Sequence, residues 1–208
     1  LDVDEVTGRV SLIDRNSDRM LLGGIHLVGR EESMNEGLDQ YDYTGRRFEM
    51  DVDRVELEES GEVRATLAID GRILNSPFQS RLTIYGALNR VDLSVRLQWQ
   101  DDKPVRVQVV FPVEFEGETV HYGVAYGHNE LENVMQGSEP WRKGDIRPES
   151  WAKQRECQGW VAIESQGFGA VLASNRRAFE FEAGELRSDI LRSCLDPSSY
   201  AYRRVWRS

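Results

Sequence analysis

Four stretches of the chain hold residue types that could do chemistry. Tyr41-Asp42-Tyr43, followed by Arg46-Arg47, combines two rings with a carboxylate and two guanidinium groups. That set suits a sugar, because rings stack on the apolar face of a pyranose while charged groups bond its hydroxyls. Asn175-Arg176-Arg177 places two more arginines in a polar turn. His121, His128 and Glu130 offer two imidazoles and a carboxylate, the ligand types of a zinc site or a proton relay. With no fixed spacing to a third ligand, the expectation there is a strand-end group exposed to water, and no residue is assigned as catalytic or as a metal ligand. Trp141 and Trp151 lie in a long irregular stretch, where they could stack on a sugar or dock on a neighbouring domain, and an interface anchor is the expectation. Trp99 and Trp160 fall in strand patterns and are expected in the core, and Glu56, Glu58 and Glu59 read as a solvated turn.

These residues need a scaffold, and its clearest segment runs from Arg81 to Val113. Val91, Leu93, Val95, Leu97 and Trp99 alternate with polar residues, and after a turn closed by Pro104 the period of two resumes with Val105, Val107, Val109, Phe111 and Val113 on one face. A period of two marks a strand with one buried face, so the segment predicts a long hairpin with one wet face. The rest of the chain is organised against it. Residues 1–14 predict a hairpin turning at Thr7-Gly8. Met20–Val28 reads as an apolar run and residues 29–47 as a loop, the usual seat of binding groups. Strands follow at 48–52 and 63–69, separated by a turn at 56–61, and a further pair leads through Phe78 after Asp70-Gly71. Thr119–Tyr126 is a strand, His128–Cys157 a long loop, and Gln158–Ser174 a hairpin around residues 166–169. Leu186, Ile190, Leu191 and Cys194 fit either a strand or a helix by periodicity. About a dozen short strands with regular turns predict an all-β fold, one large antiparallel β-sandwich filling residues 1–208 as a single domain.

Composition narrows the function. With 36 acidic residues against 26 basic ones the net charge is −10, which argues against nucleic acid as a partner. No apolar run approaches the length of a membrane helix, so no membrane partner is expected. Two cysteines, Cys157 and Cys194, in 208 residues suit a reduced, cytoplasmic setting. The chain opens on Leu1 and ends in a strand-like pattern, as expected of a domain cut from a longer chain.

The order of these elements resembles a known family. Asp4–Asp14, Thr83-Ile84-Tyr85 with Asn89-Arg90-Val91-Asp92, Val109–Val113, Trp160–Ile163, Gly167–Leu172 and Asp189–Ser193 follow the C-terminal β-sandwich of glycoside hydrolase family 38, the α-mannosidases. The resemblance implies a galactose-mutarotase-like supersandwich beside a catalytic domain that this chain lacks. It places zinc, or another divalent metal, and the catalytic aspartate in that missing domain, so the fragment holds no cofactor and is expected to be inactive alone. Its partners would be the catalytic domain and an α-mannoside. Tyr41, Asp42, Tyr43, Arg176 and Arg177 are the candidates to face the sugar, because an arginine of that second turn would reach toward the cleft. His121-Tyr122-Gly123 and Asp196–Ser199 depart from the family pattern. If the alignment holds, residues 186–195 form a strand. A free-standing carbohydrate-binding or aldose-mutarotase-like module is the alternative.

Overall fold

The computed structural model describes residues 1–14, 17–35, 40–113, 118–131, 154–165, 168–176 and 178–193, and for residues 34, 35, 40–42, 154 and 168 the backbone alone. The elements named among the described residues are all strands. They are β1 (Asp2–Val3), β2 (Val10–Asp14), β3 (Arg19–Asn35), β4 (Gln40–Ser60), β5 (Arg64–Ile73), β6 (Ser76–Tyr85), β7 (Leu88–Leu97), β8 (Val105–Pro112), β9 (Thr119–Val124), β10 (Gly127–Glu130), β11 (Gln154–Glu156), β12 (Trp160–Ser165), β13 (Phe168–Ala173), β14 (Ala178–Glu182) and β15 (Glu185–Arg192). All pairings are antiparallel. The large sheet runs β11-β14-β15-β8-β3-β4-β5-β6-β7, with the β1–β2 hairpin joined to β3, and a smaller sheet runs β10-β9-β12-β13.

The large sheet folds over on itself. Val109 of β8 and Val95 of β7 are five strands apart, about 24 Å across a flat sheet, yet both line one cavity of about 20 Å³ with Ile25, Leu27, Phe78 and Leu82. The fold line is β4, whose residues up to Glu49 pair with β3 and whose residues from Met50 onward pair with β5. Bulges in both ladders, between Arg30 and Glu32 and between Val52 and Arg54, add the twist this bend needs. The core between the layers joins Leu27, Val109, Phe111, Phe179 and Leu186 to Leu67, Ile69, Phe78 and Leu82, and to Val120, Tyr122, Val161 and Ile163 of the small sheet. The all-β sandwich is therefore as expected, and β15 settles residues 185–192 as strand.

Several local expectations are corrected. β7 and β8 form no hairpin: β7 pairs with β6 alone, at the sheet's edge, while β8 lies between β3 and β15. The segment between them crosses the β5–β6 turn, where Gln100 N donates to Ser76 Oγ (2.9 Å) and Asn75 Nδ2 to Asp101 Oδ2 (3.0 Å). β8 also has no wet face, since its residues are buried on both sides. The expected loop at 29–47 is largely strand, because β3 runs on to Asn35 and β4 begins at Gln40. The turn foreseen at 56–61 is strand as far as Ser60, with Glu56, Glu58 and Glu59 exposed on it, and the break expected after Asp70-Gly71 falls instead between Ile73 and Ser76.

Candidate functional site

Alternation along β8 gives the site its floor. Val105, Val107, Val109 and Phe111 point into the sandwich, so Arg106 and Gln108 belong to the opposite face of the large sheet, yet they are 1% and 0% exposed. A buried guanidinium needs countercharges, and the neighbouring strands bring them. Arg106 Nη2 lies 3.0 Å from Glu32 Oε1 of β3, and Arg106 Nη1 lies 3.3 Å from Glu180 Oε1 of β14 and 3.6 Å from Asp189 Oδ2 of β15. Glu180 also accepts from Arg30 Nη1 at 2.7 Å and Glu32 from Arg192 Nε at 2.7 Å. Gln108 Nε2 donates to Asp189 Oδ1 at 2.8 Å. Arg187, opposite Glu180 in the β14–β15 ladder, is clamped by Glu185 and Glu182, and Arg47 reaches Glu185 at the rim.

Tyr43 completes the group. It stands opposite Glu32 in the β3–β4 ladder. Its hydroxyl donates to Glu180 Oε1 at 2.5 Å, and the Arg30 guanidinium lies 3.5 Å from the centre of its ring. Burial, then the charge of Glu180, push the phenol's pKa well up, so Tyr43 stays protonated and acts as a donor. Asp189 is also pushed up, by burial first, against the pull of Arg106 and the Gln108 hydrogen bond. Burial works against the charge of Arg106, but Asp189, Tyr43, Glu32 and Glu180 together raise its pKa, so it stays charged. Arg106 Nε and Gln108 Oε1 are buried without a hydrogen-bond partner.

This arrangement holds shape. Glu32 and Glu180 are each gripped by arginines, which suits a rigid floor fixing the Tyr43 hydroxyl better than an acid–base pair. Among the described residues no three His, Cys, Asp or Glu side chains stand together as a group that could hold a metal ion.

Of the five sugar candidates, Tyr43 lies in this cluster. Tyr41 and Asp42 continue β4 opposite Met34 and Ser33, and their side chains lie outside the described residues, as do Arg177, Trp141 and Trp151. Arg176 is exposed after β13, and its backbone NH bonds Ser174 Oγ (3.0 Å), so it adds nothing to the cluster. His121, His128 and Glu130 sit on the outer face of the small sheet. Trp160 joins them there half-exposed, not in the core as expected. Cys157 is a buried free thiol, and Cys194 lies outside the described residues.

One known family spans nearly all of this architecture: Glycosyl hydrolases family 38 C-terminal domain matches residues 1–200. The chain belongs to that family. No curated protein matches it. In this family 38 domain the segments that resemble the family fall on the turn before β2 and on β2, the end of β6, β7, β8, β12, β13 and β15. No helix among the described residues is long and apolar enough to cross a membrane.

The sequence reading missed Arg30, Glu32, Arg106, Gln108, Glu180 and Asp189. A signal was present. Val109-Val110-Phe111 breaks the alternation of β8, and Val28 does the same between His26 and Arg30. A fully buried apolar residue in a polar row (both valines are 0% exposed) means that row does not face water.

Proposed function

We propose that this domain is the supporting sandwich of an α-mannosidase-like retaining glycoside hydrolase, without hydrolytic activity of its own, packed on a catalytic domain and lending Tyr43 to the wall of the carbohydrate cleft. The observation that carries the reading is the family 38 match over residues 1–200. The arginine-held carboxylates beneath Tyr43 support it, because Glu180 takes the phenol proton in a hydrogen bond and so fixes the hydroxyl oxygen as an acceptor beside a ring, groups a pyranose takes, without leaving a free acid. The metal and the bond-breaking carboxylates belong to the catalytic domain in this reading.

The test is hydrolysis of an aryl α-mannoside with and without zinc, by the longer protein and by these 208 residues alone. Cleavage by the longer protein only is the expected result, and cleavage by the 208 residues alone would overturn it. Faster anomerisation of glucose or galactose by these residues would favour the mutarotase-like alternative.

A further inference from the structure

The β9–β10 hairpin contains a residue that the fold does not explain. Val124 pairs with Gly127, leaving Ala125 and Tyr126 as a two-residue loop. Tyr126 has φ 68°, a left-handed conformation that favours glycine or asparagine at such a position and strains a bulky side chain. Gly127 sits one residue later, where no positive φ is needed. Tyr126 gains no packing in return: it is 108% exposed, against half-burial for most aromatic side chains of the sandwich. A strained, fully exposed ring is a feature held for something outside the fold.

The face beside it gives that something a chemistry. Glu130 stands opposite His121 and His128 opposite Gly123 in the β9–β10 ladder, so all four share the outer face of the small sheet. Gly123 is required there, because a Cβ would fall 2.8 Å from Trp160 Nε1 and 3.1 Å from its Cδ1: the indole lies against the glycine backbone. The His128 ring is 6.3 Å from Trp160 and 5.7 Å from His121. His121 Nδ1 is buried with no partner, while His128 is open to solvent. The outer face of the small sheet thus presents a half-buried indole, two imidazoles and a carboxylate, with the exposed Tyr126 at the tip of the hairpin that carries His121 and His128. Rings offer stacking for the C–H face of a pyranose, and imidazole and carboxylate take its hydroxyls.

We propose that this outer face of the small sheet is a second saccharide-binding surface, with Tyr126 and Trp160 as stacking rings and His128, His121 and Glu130 as hydroxyl partners. It is separate from the Tyr43 cluster on the large sheet, and the choice of mannose as first probe rests on the reading above.

The chain has three histidines, and His26 is buried in the large sheet, so their imidazole resonances provide two reporters and an internal control. Titrating the 208-residue chain with methyl α-mannopyranoside and with α-mannobiose should shift the His121 and His128 signals saturably and leave His26 in place. Tyr126→Gly relieves the backbone strain, so it should melt no lower than the parent while binding at least tenfold more weakly, and Tyr126→Phe should bind within about twofold. No shift with any pyranoside tried, or equal binding by Tyr126→Gly, overturns the proposal. Shifts caused only by adding the catalytic domain overturn it too, and assign the surface to a domain contact. Aryl mannoside cleavage by the longer protein should be unaffected by Tyr126→Gly, so this surface and the supporting-domain reading can fail separately.

Discussion

Arg106 and Glu180, 3.3 Å apart on β8 and β14, are an ion pair shut off from water, with side chains 1% and 0% exposed. Such a pair is expensive to break from one side only, because the partner left behind is an uncompensated buried charge. Arg106→Met takes the shared cation from Glu180 and Glu32, which keep Arg30 and Arg192, so a loss at or below the lower end of about 3–5 kcal/mol is expected in urea unfolding. Arg106→Lys should fall between, since one ammonium cannot span both carboxylates as the guanidinium fork does. A methionine variant as stable as the parent would mean the cluster adds nothing to the fold.

Tyr43→Phe removes the donor to Glu180 but keeps the ring beneath Arg30. Hydrogen bonds to charged groups are worth about 1.5–3 kcal/mol, so thermal unfolding should show a loss in that range. Tyr43→Ala should cost more, because the ring contact with Arg30 goes as well. In the longer protein the phenylalanine variant should also cleave an aryl α-mannoside more slowly. Unchanged cleavage would remove Tyr43 from the cleft wall.

His26 gives the domain an acid limit. It is 5% exposed, and its Nδ1–H donates to the Gly24 carbonyl at 2.8 Å. Burial, the largest cause, pulls its pKa below the ordinary histidine value, with the Gly24 hydrogen bond partly opposing. A depressed histidine binds fewer protons folded than unfolded. Its contribution is therefore complete above the unfolded pKa, about 6.5, and is lost as the pH falls from there toward the folded value. Urea midpoints between pH 7.5 and 5 should drop, and His26→Gln should flatten that slope. A slope equal in both proteins would assign the acid sensitivity to other groups.

What the sequence showed and what it hid follow from the same rule. Alternation reports whether one face of a strand is apolar, and that was enough for β5, β6, β7, β12 and the sandwich class. It is silent about which strands pair, so Val91–Trp99 and Val105–Val113 looked like one hairpin although β4's bend places them in different layers. It also equates polar with wet. Arg106, Glu32 and Glu180 satisfy one another across four adjacent strands, a long-range pairing that no local pattern displays. Tyr43 was legible because its ring and neighbouring charges are local; its anchor, Glu180, is 137 residues away.

The β4–β5 ladder that carries the bend should be sensitive to a single methyl group. At Gly71, opposite Val52, an added Cβ would lie 2.2 Å from the Asp51 carbonyl oxygen and 3.1 Å from two atoms of the Phe78 ring. The oxygen is backbone in the neighbouring strand and cannot retreat without opening the ladder, and the ring is packed in the core at 2% exposure. Overpacking of this kind costs about 1–3 kcal/mol, occasionally more, so Gly71→Ala should lie at or above the top of that range. Gly61→Ala is the control, because its nearest contact, Arg64 O at 3.6 Å, is ordinary and its φ is not positive; a change within about 0.5 kcal/mol is expected there. Equal melting temperatures for the two variants would mean that β4 and β5 do not approach this closely at Gly71, and the position of the bend would have to be redrawn.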